Sequence, residues 1–414
     1  MQATPGIDGQ DPGIGAWIAA AIQFLLGITW VAYVYYLPGL LEQVGIEQTW
    51  LIAFLLVDQA VFGLADWTVG WLGERTERYW ARLGRWIVAG SVLSSAAMLL
   101  LPWVARLGSP ALLVATTFVW ITASSAMRAP VVAMLGRTAR PAAKLSLVAT
   151  LLAGGALASA MAPWVANGLK RLSPELALAA GAAALVIASL AVVRFAAPGT
   201  LGAAQVTHAD PRRLRWGALI AIAAVALGFA TSVQLHAFIA SAPLFRRLGA
   251  IDLSRWLPLF WLGFALASLA IGLHGRARAR TGRDIVQPSG FAIMSIGAAF
   301  VGMAAVATTR IAPSLTSLAL AQFVAGAAWA VLIDALFVRA LELASPHRPT
   351  AAAGTLFATM AFAAVLRLAL VAAIGAQDAA RLGIWPIIGL WLVASAGVLV
   401  IRRASGANLR SAAT

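Results

Sequence analysis

The stretch AAAIQFLLGITWVAYVYYLP, residues 19–38, returns 205 positions later as AVALGFATSVQLHAFIASAP, residues 224–243. Ala19, Ala21, Phe24, Ala32 and Pro38 meet Ala224, Ala226, Phe229, Ala237 and Pro243. The register holds further along. Ala60, Leu64, Ala65 and Gly70 meet Ala265, Leu269, Ala270 and Gly275; Phe118 and Val119 meet Phe323 and Val324; Leu151, Ala153, Ala156 and Ala158 meet Leu356, Ala358, Ala361 and Ala363. Alanine coincidences are cheap in so alanine-rich a chain, and the Phe, Pro and Gly matches in one ungapped register carry the inference. The chain reads as two tandem copies of one unit.

That unit is too apolar for water. Hydrophobic residues make up 61% of the chain and charged residues 11%, against roughly half and a quarter in a soluble domain. A bilayer crossing takes about 20 apolar residues. Twelve such stretches are present, near 14–38, 49–72, 84–105, 109–135, 145–168, 175–194, 215–241, 254–274, 287–307, 314–338, 350–374 and 382–401. Lipid offers no partner for unpaired backbone groups, so these are expected to be helices. The fold class is therefore an all-α integral membrane protein with twelve transmembrane helices in two six-helix pseudo-repeats.

The net charge of +15 is distributed as a topology signal. Twenty of the thirty basic residues fall in the loops after helices 2, 4, 6, 8 and 10 and in the C-terminal tail, eight in the alternate loops and two inside helices. By the positive-inside rule both termini are cytoplasmic. The arginines orient the chain and meet anionic lipid head groups, and no nucleic-acid partner is expected. No basic residue precedes the first apolar run, so no cleavable signal is expected and helix 1 itself directs insertion into a bacterial-type inner membrane. The expected organisation is an N-terminal cytoplasmic tail (1–13), a six-helix bundle (14–194), a cytoplasmic linker (195–214), a second bundle (215–402) and a cytoplasmic tail (403–414).

Cysteine is absent, which excludes disulfides and thiolate chemistry. His208, His274 and His347 lie in or beside loops, and no histidine pair has metal-ligand spacing, so no metal is expected. No phosphate-cradling G-x-x-x-x-G-K-[ST] loop occurs. Neither a cofactor nor an enzymatic activity is expected, and ATP is not the energy source.

The loop after helix 2, Gly70-Trp-Leu72-Gly-Glu74-Arg75-Thr-Glu77-Arg78, resembles the signature G-x-L-a-D-R-x-G-R-K of the major facilitator superfamily. Glu74 replaces the acid, Glu77 the second glycine and Tyr79 the last base. A degenerate copy follows at the repeat offset, Gly275-Arg-Ala-Arg-Ala279-Arg280-Thr-Gly282-Arg283, in which the acid has become Ala279. The resemblance implies parallel repeats with a solute site at their interface, a cavity lined by helices 1, 4, 7 and 10, and alternating access in which the helix 2 loop meets helix 11. Gly70 would permit the close approach and Glu74 would face a helix N-terminus, with Arg75 and Arg78 in the same gate. Thr350 is the expected N-cap of helix 11 after Pro349.

A narrower likeness lies in Asp66-Trp-Thr-Val-Gly70 and Arg128-Ala-Pro130, which are similar to helix 2 and helix 4 segments of sugar:cation symporters related to melibiose carriers. Two of the acids that hold sodium there are Phe62 and Arg128 here, so the sodium shell is incomplete and a fixed guanidinium takes a cation's place. In helix 5, Ala158, Ala162, Pro163 and Ala166 fall where antiporters of the superfamily carry glycines; small residues permit close helix contact whatever the direction of transport.

Five ionisable residues lie inside the apolar stretches, namely Asp58, Asp66, Arg128, Asp334 and Arg367, and each should face a cavity or a partner. At 1.5 Å per residue Asp58 lies about 12 Å, and Arg367 about 10 Å, inside the outer ends of helices 2 and 11, which makes them one candidate pair. Arg128 is expected to answer Asp66 in its own half and Asp334 across the cavity, the latter when the cytoplasmic gate is closed. Trp120, Ser124 and Arg128 share a helix 4 face; with Tyr33, Gln234, His236, Trp329 and Asp334 they form the candidate substrate cavity. Asp58, Asp66, Gly70, Glu74, Arg75, Arg78 and Arg367 are the candidate coupling and gating residues. Trp17, Trp50, Trp71, Trp103, Trp164 and Trp385 suit interfacial belts. The function expected is secondary transport of a small organic solute, coupled to protons, by a monomer in the bilayer. The alternatives are a sugar:cation symporter, or an assembly factor or sensor built on the same fold.

Overall fold

In a computed structural model of the chain, residues 12–72, 77–128, 131, 141–195, 216–280, 288–343 and 349–411 are described. Twelve long helices run through them. The first half holds α1 (Pro12–Gln43), α2 (Leu51–Leu72), α3 (Glu77–Arg106), α4 (Pro110–Ser125), α5 (Pro141–Leu169) and α6 (Pro174–Phe195). The second holds α7 (Trp216–Leu235, then a π-helical turn His236–Ala240 and a last segment Ser241–Arg247), α8 (Pro258–Arg280), α9 (Pro288–Ile311), α10 (Leu315–Leu343), α11 (Pro349–Ile374) and α12 (Trp385–Ser411). No strand occurs among the described residues.

Local sequence sets the ends. Pro12, Pro110, Pro141, Pro174, Pro258, Pro288 and Pro349 open seven of these helices, where proline's fixed φ is ready for the first turn and its missing N–H is no loss. α1 and α7 close alike, at Gly45 (φ 77°) and Gly249 (φ 82°). In each the residue after the glycine donates back across the turn, Ile46 N to Leu41 O at 2.9 Å and Ala250 N to Phe245 O at 3.1 Å, an arrangement whose left-handed position glycine fills without strain. The two copies thus share their stop signal.

Among the described residues ten helical stretches are long and apolar enough to cross a membrane; Pro110–Ser125 and Trp385–Leu399 are shorter apolar helices. α4 is interrupted by a turn at Ala126–Met127, after which Arg128 and Val131 are helical again. Residues 403–411, expected as a tail, continue α12 as helix. The linker 195–214 lies, apart from Phe195, outside the described residues.

Within the first half α1 packs on α5 and α6, and α3 on α4 and α6; within the second α7 packs on α11 and α12, and α10 on α8 and α9. Small residues set the spacing. A Cβ on Gly154 would stand 2.2 Å from the Ala20 carbonyl oxygen, and one on Gly27 would stand 2.5 Å from Ala158 Cβ. The halves meet chiefly along α2 with α11 and α5 with α8, supplemented by α5 with α10, while α1, α4 and α7 make no comparable packing across the divide.

Candidate functional site

The divide is tightest on the side where α1 begins and α12 ends. A Cβ on Gly70 would lie 2.8 Å from the Thr350 carbonyl oxygen and 3.0 Å from Gly354 Cα. The other seam has the pseudo-symmetric contact, with Gly272 of α8 against Thr150 Oγ1 (2.6 Å) and Ser146 O (3.3 Å) of α5. Arg276 of α8 sets its guanidinium 5.5 Å from the Trp17 ring of α1, a third link between the halves at this end. Toward the opposite side the polar contacts stay inside one half: Tyr36 donates to the carbonyls of Leu169 and Leu172 at 3.0 Å each, and Arg247 donates to those of Thr309 and Arg310. The halves are drawn together at the termini side.

Thr350 is not the cap of α11. The helix opens one residue earlier at Pro349, and the Thr350 hydroxyl is buried without a hydrogen-bond partner. Glu74 and Arg75 lie outside the described residues; Arg78 falls in the first turn of α3, and nothing is described of its side chain.

Above this closure sits the best-formed charged site. Arg128 forms an ion pair with Asp66, whose side chain is fully buried, and adds a second hydrogen bond from Nε to Oδ1 at 3.3 Å. Its guanidinium lies between two rings, Phe62 of α2 at 4.5 Å and Phe357 of α11 at 5.0 Å. The cation therefore touches both halves. Ser125 donates to the Phe62 carbonyl at 2.8 Å and ties α4 to α2 beside the pair. With its carboxylate engaged by Arg128, Asp66 belongs to no cluster of acids, and the described residues contain no group of three potential metal ligands.

Two expected pairs are not formed. Asp334 does not reach Arg128, even with the halves packed at this end; it turns into its own half, where Ser268 of α8 donates to Oδ2 at 2.9 Å and Oδ1 has no partner. Asp58 and Arg367 also turn away from each other. Tyr33 donates to Asp58 Oδ2 at 2.6 Å inside the first half, while Arg367 lies 4.7 Å over the Phe238 ring of α7 with its buried Nε unpartnered. Depth along neighbouring helices was matched in both cases, but the side chains leave their helices in other directions.

The remaining cavity candidates lie in bundle interiors. Trp120 is buried among Tyr33 and Trp30, Ser124 is within 2.6 Å of Ser94 of α3, and Trp329 packs near Phe229. His236 Nε2 is 2.9 Å from Gln322 Oε1; Gln322 donates to Ser241 Oγ at 3.0 Å, and Ser241 donates to the His236 carbonyl at 2.7 Å. This closed ring joins both ends of the π turn to α10. Gln234, half-buried, leaves its Oε1 unpartnered. Gln322, Ser241, Ser268 and Gly354 were missed from the sequence; the rarity of a glutamine inside a long apolar stretch could have flagged Gln322. Trp17, Trp50, Trp103, Trp164 and Trp385 are exposed, as interfacial residues would be.

No protein-family model matches the sequence, and neither does any curated protein. Solved structures do. The human organic anion transporter MFSD10 (TETRAN) is 16% identical, with a TM-score of 0.61 over 94% of this chain and 100% of that one. The E. coli fucose:proton symporter FucP is 13% identical, with a TM-score of 0.59 over 95% and 99%. At such identities the likeness establishes the fold, which is the twelve-helix architecture of major facilitator transporters, in an integral membrane protein.

Proposed function

We propose that this protein is a secondary transporter that carries a small organic solute across a bacterial-type inner membrane by alternating access, with protons as the coupling ion, and that it is not an enzyme. The observation that carries the reading is the asymmetric divide. Two six-helix halves meet along two glycine-notched seams, closed at the termini side, while α1, α4 and α7 make no comparable packing across the middle. Small residues at a moving seam let backbones approach and part with little side-chain rearrangement. Both structural neighbours carry transport in their names, one for organic anions and one for fucose with protons. With both termini cytoplasmic, the closed end is the inner one, and the described state faces outward.

Asp334 is the acid we assign to the proton. It is buried, accepts from one hydroxyl and has no cation partner among the described residues, so changing its charge breaks no ion pair. Sugar:cation symport with sodium has no support in the site, since the one acid of that likeness is engaged by Arg128.

The test is reconstitution of the full chain in liposomes containing a pH-sensitive dye. Solute addition should change internal pH and concentrate solute with the wild-type protein but not with Gly70→Leu. Absence of flux across a panel of sugars, amino acids and organic acids would overturn transport and leave a sensor or assembly role. Orientation is checked separately in this cysteine-free chain: single cysteines at Arg140, Arg278 and Gly406 should label only from the cytoplasm, and ones at Gln48 and Asp378 only from outside.

A further inference from the structure

We propose that Arg367 is the recognition group for a carboxylate on the transported solute, which makes that solute an organic acid with an apolar body. The inference rests on the transport reading above and specifies its substrate class.

Position comes first. α8 and α11 are second-half helices that pack against the first half, α8 on α5 and α11 on α2. Phe238, on the π turn of α7, is touched from both of them, by Trp261 of α8 at 5.9 Å between ring centroids and by Arg367 of α11 at 4.7 Å. The ring therefore bridges the two seam helices and is 50% exposed, toward the end away from the Gly70 closure, where the polar contacts of each half stay within that half.

The chemistry is incomplete as it stands. A guanidinium at this depth is costly unless something answers it, and a ring face supplies only part of the answer. The titratable groups carried by the elements that pack against α11 are engaged elsewhere, Asp58 of α2 by Tyr33 and His236 of α7 by Gln322. Among the described residues no acid reaches Arg367, and its Nε is buried without an acceptor. A planar fork of N–H donors above an aromatic floor is matched by a carboxylate carried on an apolar group: the carboxylate accepts two parallel hydrogen bonds, and the body lies along Phe238 and Trp261. The neutral amide of the same shape lacks the charge and one of the two acceptors.

The experiment compares acid and amide on the detergent-solubilised full chain, with benzoate against benzamide and hexanoate against hexanamide, read by tryptophan fluorescence and by thermal shift. The wild-type protein should respond saturably to at least one acid and at least about tenfold more weakly to its amide, the size of effect expected for a charge-assisted pair. Arg367→Gln should lose the acid response and the preference together, while Arg367→Lys keeps the preference at lower affinity. Equal response to acid and amide, an unchanged Arg367→Gln, or a wild-type protein deaf to both acids would overturn the assignment. Should Arg367→Gln not fold, Arg367→Lys decides, because unchanged affinity there excludes a role for the fork. Carboxylate binding without flux in liposomes would retain this site and remove the transport reading; flux of neutral solutes with no preference for acids would do the reverse.

Discussion

Among the described residues the first half holds a matched pair of buried charges, and the second half holds none. Asp66 has Arg128, while Asp58, like the acid of the second half, has only a hydroxyl, that of Tyr33. Asp334 has one serine hydroxyl, and Arg367 has a phenylalanine ring, although the two opposite charges share a bundle. A matched pair is content in any state that preserves it, so it serves structure. An unmatched group in lipid-level surroundings is completed by something that arrives and leaves, and a proton for the acid and an anion for the base are the two arrivals its chemistry admits.

The comparison breaks most visibly at the matched pair. Removing either partner alone, by Arg128→Ala or Asp66→Asn, should destabilise the protein by about 3 to 5 kcal/mol, because the other charge is stranded. The double variant Asp66→Asn with Arg128→Gln should recover much of that loss in detergent melting curves. If the single variants melt like wild type, the pair is not structural. Next in size is the seam: Gly70→Leu, and Gly354→Leu with it, should cost about 1 to 3 kcal/mol through overpacking and abolish flux while the protein still reaches the membrane. Normal flux from both would mean that the closure is not part of the cycle.

Asp334→Asn sharpens the contrast from the other side. With no ion pair to strand and the Ser268 hydrogen bond available to an amide oxygen, stability should move by less than about 1 kcal/mol, while solute no longer accumulates against its gradient and downhill exchange persists. Continued accumulation would remove Asp334 from coupling. The smallest effect is expected at the π turn, where Gln322→Leu should cost about 1 kcal/mol by freeing His236 and Ser241, read as a lower melting temperature with flux retained.

How much of this was legible in the sequence follows from what kind of signal each feature leaves. Helix number and the repeat are written in composition and offset, while the Gly70 contact with helix 11 came from the resemblance of its loop to the superfamily signature. Asp66 with Arg128 was legible because the symporter likeness put both in one half at similar depth. Asp334 and Arg367 were not, because these helices are apolar all round: with no polar face to orient them, periodicity says how deep a residue sits and leaves its direction open. The direction of Trp120 and Trp329 is left open for the same reason, since an aromatic in an apolar helix fits a bundle interior as well as a cavity wall. The π turn at His236–Ala240 leaves no local signal of its own; it is held by Gln322, a residue 86 positions away.

The placement of Arg128 between Phe62 of one half and Phe357 of the other has a consequence for salt. While the halves are closed at the termini side, two rings flank the guanidinium and Asp66 is fully buried, so dissolved ions have little access to the pair. If the halves part as the proposed cycle requires, Phe357 leaves and water enters, and the pair is then screened over a Debye length of about 8 Å at physiological ionic strength. The same two charges are thus indifferent to salt in one state and weakened by it in the other. In the proposed cycle, ionic strength on the termini side becomes a handle on the balance between states, one that works through water reaching the pair and needs no dedicated effector site.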